Sequence, residues 1–250
     1  MEGRNAVVTG GYGRIGIEIS LALLDAGARV TIADVQQLND VEKAEKSILE
    51  ASFYKCDITD LQSVSAHVRE LERRIDGIDI WVNAAYPYTK DWLESGSESA
   101  ESWCRNVDMQ MNSCCLYAAE VARHMAERSR GAIVNVASIY GSVAPDFLIY
   151  EQTDMCTPAA YSAIKGGIIA HSRYLASQFG RQGVRVNAIC PGGVAAGQDA
   201  EFVDAYSRRT VLGRMAEASE IGPPVVFLAS EAASYVTGAT LMVDGGWTAI

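Results

Sequence analysis

Short β-branched runs alternate with longer segments of helical period along the whole chain, and this alternation leaves few folds open to it. Asn5 to Thr9, Arg29 to Ala33, Ile78 to Asn83, Ala132 to Ala137, Val184 to Ile189 and Thr240 to Val243 read as strands, with Ala51 to Cys56 a weaker one. Arg14 to Ala26, Leu61 to Ile75, Glu101 to Arg128, Ala159 to Gly180 and Ser219 to Ser230 have the length and apolar spacing of helices. Strand and helix in this order require right-handed crossovers. The expected fold is therefore α/β, a single doubly wound Rossmann-type parallel sheet with helices on both faces. No linker, low-complexity tract or repeat breaks the pattern, so residues 1–250 read as one domain. Two loops look functional rather than connective, Tyr86 to Ser99 and the long Tyr140 to Thr157.

Composition narrows the partners. With 21 Lys and Arg against 31 Asp and Glu, the net charge of −10 gives no footprint for a polyanion, so neither nucleic acid nor an anionic membrane is expected. The six cysteines form no C-x-x-C pair and read as free thiols of a reducing compartment. Met-Glu-Gly-Arg runs directly into an apolar strand, with no signal-peptide core and no apolar run long enough for a membrane span, so a cytoplasmic protein is expected. His67, His124 and His171 lack metal-ligand spacing and read as packed or solvated imidazoles, and Trp81 and Trp103 as core or interface.

The chemistry gathers at strand ends. Thr9-Gly10-Gly11-Tyr12-Gly13-Arg14-Ile15-Gly16 follows the first strand and opens the first helix, where glycines let a pyrophosphate approach the positive helix end. Asp34, at the end of the second strand and about 20 residues on, is placed to accept both hydrogen bonds from an adenosine ribose and to repel a 2′-phosphate. That predicts NAD over NADP, with Arg14 a nearby cation that softens the discrimination. Tyr161 and Lys165 stand four apart on one helical face. Moving a phenol from a pKa of about 10 to about 7 takes roughly 4 kcal/mol of phenolate stabilisation, which a neighbouring ammonium helps supply. Ser138 lies at the carboxyl end of the fifth strand, the edge where open α/β sheets bind ligands.

With these residues in view, the chain resembles the short-chain dehydrogenase/reductases over essentially its whole length. The resemblance rests on Thr9 to Gly16, Cys56-Asp57-Ile58, Val82-Asn83-Ala84-Ala85, Ser138, Tyr161 with Lys165, Asn187 to Gly193 and Val243-Asp244-Gly245-Gly246. It implies catalysis by Ser138, Tyr161 and Lys165. It also implies cofactor binding by Gly10, Tyr12, Arg14, Ile15, Asp34, Asp57, Ile58, Asn83, Ala84, Tyr161, Lys165, Pro191 and Val194. In the family Ser138 and Tyr161 bind the reacting oxygen, Tyr161 exchanges the proton, and Lys165 lowers its pKa and holds the nicotinamide ribose. The implied assembly is a homotetramer or homodimer. Wide apolar faces on the Glu101 to Arg128 and Ala159 to Gly180 helices agree with packing between subunits.

Several positions depart from the family pattern. Arg14 stands at the second glycine of the cofactor motif, and Ala84 and Tyr86 replace the second Asn and the Gly of the usual Asn-Asn-Ala-Gly. The family's proton-relay Asn falls on Gln110, with Asn112 two residues later, and the Thr that touches the carboxamide falls on Ala196. Ser138 and Tyr161 are 23 residues apart, longer than the family spacing, so Asp146 to Thr157 is an insertion beside the reacting centre. Within it Tyr150-Glu151-Gln152-Thr153-Asp154 offers groups suited to a polyol or sugar. With Gly-Tyr-Gly-Arg-Ile-Gly and Gly-Gly-Trp-Thr, this stretch is similar to short-chain dehydrogenases of flagellin-glycosylation and nonulosonic (legionaminic) acid pathways. Arg208 and Arg209 read as a solvated helix face, the alternative being a site for a substrate phosphate or carboxylate. The expected activity is NAD(H)-dependent hydride transfer to or from a secondary alcohol or ketone, of a sugar-derived or polar cyclic substrate. Two alternatives share the fold: a cofactor-recycling epimerase or dehydratase, and a catalytically silent nucleotide-sensing scaffold.

Overall fold

The computed structural model describes residues 1–36, 48, 50–92 and 99–250. Its strands are β1 (Asn5–Thr9), β2 (Arg29–Asp34), β3 (Ser52–Lys55), β4 (Ile80–Asn83), β5 (Gly131–Val136), β6 (Val184–Pro191) and β7 (Thr240–Val243). All pair in parallel, in the order β3-β2-β1-β4-β5-β6-β7. β1 and β4 are buried at every residue, as a parallel sheet covered on both faces requires. The strand order reverses direction between β1 and β4, and this switch point opens the crevice at the carboxyl edge that houses the site.

The helices are α1 (Arg14–Asp25), α2 (Val64–Ile75), α3 (Ala100–Asn106), α4 (Ser113–Glu127), α5 (Ala159–Phe179), α6 (Ala200–Ser207) and α7 (Gly222–Ala229). On one face of the sheet Val7, Trp81, Ile133 and Val186 pack against Val68 and Leu71 of α2, Tyr117 and Val121 of α4 and Leu175 of α5. On the other, Val8, Ile32, Val82, Val134 and Ile189 meet Ile19 and Leu23 of α1 and Val225 and Leu228 of α7. A third cluster joins Trp92, Tyr140, Ile149, Ile164, Ile168, Phe202, Tyr206 and Trp247.

Several expected elements change on folding. The single helix expected over Glu101 to Arg128 is interrupted by a π-helical stretch, Val107–Asn112, between α3 and α4. α2 begins after Leu61 because Asp60 accepts hydrogen bonds from Gln62 N and Ser63 Oγ and holds a turn there. α7 starts later than Ser219, behind a 3₁₀ turn at Ala218–Glu220 and with Pro in its first turn. α6 was not expected; it buries Phe202 and Tyr206, four residues apart, under the insertion. The Tyr140 to Thr157 loop is not structureless, since Phe147–Tyr150 forms a 3₁₀ turn capped by Asp146. Part of the Tyr86 to Ser99 loop lies outside the described residues. All six cysteines are free, with Cys56, Cys114 and Cys190 buried. Among the described residues no helix is long and apolar enough to cross a membrane.

Candidate active site

The turn from β1 into α1 is built around close backbone approach. Gly10 has φ +63°, and a Cβ there would lie 2.5 Å from Ala85 Cα, just after β4. A Cβ on Gly16 would lie 2.0 Å from the Gly10 carbonyl oxygen, so helix and turn touch through glycine alone. α1 begins without a side-chain cap and without an acidic residue in its first turn, leaving its N–H donors and positive end open to an anion. Gly16→Ala is therefore expected to force the turn apart. Overpacking of this kind costs about 1–3 kcal/mol, read as a lower denaturation midpoint, together with lost nucleotide binding by fluorescence titration.

At the end of β2 the Asp34 carboxylate accepts hydrogen bonds from Tyr12 N (3.2 Å) and Gln36 N (3.3 Å), which fix it at the cleft rim. The Tyr12 ring stacks on Phe53 at 6.0 Å. Asp57, after β3, accepts from Thr59 N and Oγ1 at 2.9 and 2.7 Å. Arg14 reaches across to the loop after β6, donating to the Ala195 carbonyl at 3.1 Å and the Ala196 carbonyl at 3.5 Å. Ala196 presents no side-chain donor, and Gln198 sets the shape of this loop by accepting from Ala196 N and donating to Val194 O.

At the other end Ser138 follows β5 in extended conformation and accepts from Tyr140 N at 3.2 Å. Its side chain lies near the Tyr161 phenol and favours loss of the phenol proton. One turn along α5, buried Lys165 donates to the Val136 carbonyl at 3.0 Å, with Nζ 5.6 Å from the Tyr161 ring centre. Burial raises the Tyr161 phenol, with nearby Ser138 opposing it, and lowers the Lys165 ammonium to about 8. Desolvation thus disfavours charge on either group alone, whereas a phenolate beside an ammonium satisfies both.

A cleft of about 1000 Å³ joins the two ends. It is lined by Gly10, Tyr12, Arg14, Ile15, Asp34, Asp57, Ile58, Ala84, Ser138, Tyr161, Lys165, Pro191 and Val194, so sequence-expected positions from both ends share one space. Asn83 is the exception. Its side chain is buried, accepting from Trp81 Nε1 and donating to Asn135 Oδ1, both at 2.8 Å, and it does not line the cleft. Gln110 points inward with its Oε1 buried and without a hydrogen-bond partner among the described residues, whereas Asn112 turns out to bond Asp108. In the insertion, Met155 lines the cleft while Glu151, Gln152 and Asp154 are exposed outside it. Arg208 pairs with Asp204, and Arg209 pairs with Asp146 at 2.8 Å while lying over Trp247, so both guanidiniums are engaged within the protein.

Sequence reasoning missed Trp92, whose Nε1 donates to the Tyr86 hydroxyl at 2.7 Å, and Gln198. Both act through loop geometry that no local period records. Glycines where a Cβ would collide, an open helix N-terminus and a carboxylate at the β2 rim together fit an adenine dinucleotide. Among the described residues no group of His, Cys, Asp and Glu could hold a metal ion.

Residues 13–248 match the family model described as enoyl-(acyl carrier protein) reductase. The chain is 31% identical over 256 residues to a post-translational flagellin modification protein A of Campylobacter coli, covering 99% of each. It is 34% identical to the cis-4-hydroxycyclohexanecarboxylate dehydrogenase of Sinomonas cyclohexanicum, covering 99% of this chain and 97% of that one. Among solved structures, a short chain dehydrogenase from Leptospira borgpetersenii with bound NAD+ superposes with a TM-score of 0.87 at 32% identity, covering 99% of this chain and 94% of the other. A gluconate 5-dehydrogenase from Burkholderia cenocepacia, in complex with NADP and tartrate, gives 0.85 at 28% identity, covering 100% and 97%. A seven-stranded parallel sheet, a match over nearly every residue and dehydrogenases on both sides of the comparison agree: the chain belongs to the short-chain dehydrogenase/reductase family and is a hydride-transferring oxidoreductase.

Proposed function

We propose that the protein interconverts a secondary alcohol and its ketone on a sugar-derived or polar cyclic substrate, with NAD(H) as cofactor and Ser138, Tyr161 and Lys165 as catalytic residues. The observation that carries this reading is that Ser138, Tyr161 and the buried Lys165 share one end of the cleft whose other end is the open N-terminus of α1. Gly10, Tyr12, Arg14, Ile15, Asp34, Asp57, Ile58, Ala84, Pro191 and Val194 would hold the dinucleotide, which when bound supplies or takes up the hydride at its nicotinamide. Asn83 supports them from below through its buried network.

In oxidation, Ser138 donates to the substrate oxygen and orients it, and Tyr161 as phenolate accepts the hydroxyl proton while the carbon–hydrogen bond breaks with its electron pair. Lys165 holds the phenolate by its charge. Gln110 is the relay amide, because its buried oxygen faces inward and Asn112 does not. In reduction the proton returns from Tyr161 to the new alkoxide. The named relatives act on a cyclic hydroxy acid and, in the structure comparison, on gluconate, which supports a polyhydroxylated or ring substrate.

We further read residues 1–250 as one domain, working in the cytoplasm as a homodimer or homotetramer. Exposed Trp103, Leu116 and Tyr174 on the α3–α5 side give copies of the chain an apolar surface on which to pair.

The test is a titration of the purified protein with NADH and NADPH, followed by energy transfer from its four tryptophans, and then a panel of secondary alcohols with NAD+. NADH is expected to bind at least tenfold tighter, a gap of about 1.4 kcal/mol, and net NADH is expected to accumulate with the alcohol. Turnover without net NADH would replace this reading with a cofactor-recycling epimerase or dehydratase. Failure to bind either dinucleotide would leave a silent scaffold.

A further inference from the structure

Among the described residues, the reacting end of the cleft is walled by aromatic rings and carries little charge. Tyr86 and Tyr88, 43% and 49% exposed, line it together with Tyr161 and Met155. The Tyr86 and Tyr88 rings lie 5.4 Å apart and tilted by 50°. Tyr86 stands 5.9 Å from Tyr161 and almost perpendicular to it, at 78°, and its ring centre is 5.4 Å from Lys165 Nζ. The wall therefore borders the reacting pair directly.

Tyr86 is also braced. Its hydroxyl accepts the Trp92 indole N–H at 2.7 Å, and the buried Trp92 ring lies 6.5 Å from that of Tyr161. A phenol pinned at its oxygen by a buried indole cannot swing away as a free surface tyrosine does. The Tyr140 ring also packs on Tyr161, 6.5 Å away and with the ring planes at 89°.

The charged residues lining the cleft are divided between its ends. Asp34 ends β2 and Asp57 follows β3, while Arg14, from the start of α1, reaches to the loop after β6, where its guanidinium is engaged by the Ala195 and Ala196 carbonyls. At the Tyr161 end Lys165 is the charged side chain among the described lining residues, and Arg209 is held by Asp146. A phosphate or carboxylate next to the reacting carbon would find no free cation there. The negative face of an aromatic ring instead attracts C–H bonds polarised by neighbouring oxygens. A six-membered ring presents such bonds together on one face, while a flexible open-chain polyol must lose rotational freedom to do so.

We propose that Tyr86, braced by Trp92, is a specificity-determining residue that selects an uncharged six-membered cyclic alcohol over an open-chain polyol by packing its C–H face beside Tyr161. This rests on the alcohol dehydrogenase reading above. The phenol hydroxyl is tied to Trp92, so the aromatic ring carries the selection.

The test compares kcat/KM with NAD+ for cyclohexane-1,2-diol and myo-inositol against threitol and galactitol, in the wild type, Tyr86→Ala and Tyr86→Phe. The wild type is expected to prefer the ring alcohols. Tyr86→Ala should reduce that preference at least tenfold, mainly through a higher KM for the rings, while Tyr86→Phe, which keeps the ring but loses the bond to Trp92, reduces it by a smaller factor. Because Tyr86→Phe retains the ring, it also shows that the chain still folds with this position altered. Turnover of both classes in a ratio that Tyr86→Ala leaves unchanged overturns this proposal alone. A wild-type preference for the open chains does the same. Turnover of neither class overturns the polyol reading and this proposal with it.

Discussion

Tyr161→Phe is expected to lower kcat by roughly three orders of magnitude, within the range that a positioned acid–base group supplies, while the Kd for NADH changes less than about twofold. The substitution removes one oxygen. The ring keeps its edge contacts with Tyr86, Trp92 and Tyr140, and Lys165 keeps its bond to the Val136 carbonyl, so the cleft is preserved and the proton acceptor alone is lost. Stopped-flow or steady-state assay beside a fluorescence titration separates the two quantities. The pH dependence gives an independent readout. In the proposed mechanism alcohol oxidation requires Tyr161 without its proton, and burial raises that group, so the wild-type rate is expected to climb with pH through a limb that belongs to the Tyr161–Lys165 pair. In the reductive direction the sign reverses, because the neutral phenol is then the donor. The phenylalanine variant should lose the limb in both directions. Turnover near the wild-type rate in Tyr161→Phe would remove Tyr161 from the mechanism.

What could be read from the residues alone follows from how local each constraint is. The Gly10 to Gly16 turn is written within seven consecutive positions, and the contact of Gly16 with the Gly10 carbonyl acts within that span, although the approach of Ala85 to Gly10 does not. Tyr161 and Lys165 share a helix face by spacing alone. Asn83 shows the opposite case. It sits at the carboxyl end of β4, beside residues that line the cleft, yet strand alternation puts its side chain on the same face as Trp81. There it joins a buried chain of hydrogen bonds through Asn135 to Ser172, and leaving that network would strand several buried polar groups. Its register against β5, where Asn83 faces Asn135, is a tertiary fact that one strand does not reveal.

The π-helical stretch Val107–Asn112 escaped for a related reason. Its apolar residues still recur at roughly helical spacing, so the interruption is invisible to a periodicity argument, but the wider turn decides that Gln110 faces in and Asn112 faces out. α6 was too short for its period to register, and it is held by Phe202 and Tyr206 packing under the insertion rather than by propensity. The bond between Trp92 and Tyr86 depends on the path of a loop, and loops carry no period.

Asp34→Ala is expected to invert the cofactor preference. In the wild type the carboxylate is fixed by Tyr12 N and Gln36 N at the end of β2, which leaves its remaining acceptor capacity for a vicinal diol at the rim. Hydrogen bonds to a charged partner contribute about 1.5–3 kcal/mol each, so losing the two from the diol should weaken NADH binding by roughly two to four orders of magnitude. The same substitution removes the repulsion of a 2′-phosphate and should tighten NADPH. The role of Arg14 follows from where its guanidinium points. It donates to the Ala195 and Ala196 carbonyls, in the loop after β6, and so is aimed away from the ribose end at β2. Arg14→Gly is accordingly expected to leave the ratio of NADH to NADPH affinity within about threefold of wild type, whatever it does to both together. Parallel titrations of the two variants decide between the residues. If Asp34→Ala keeps the wild-type ratio while Arg14→Gly shifts it tenfold, discrimination lies with the guanidinium, and the carboxylate at the end of β2 serves only to hold Tyr12 and the glycine turn in place.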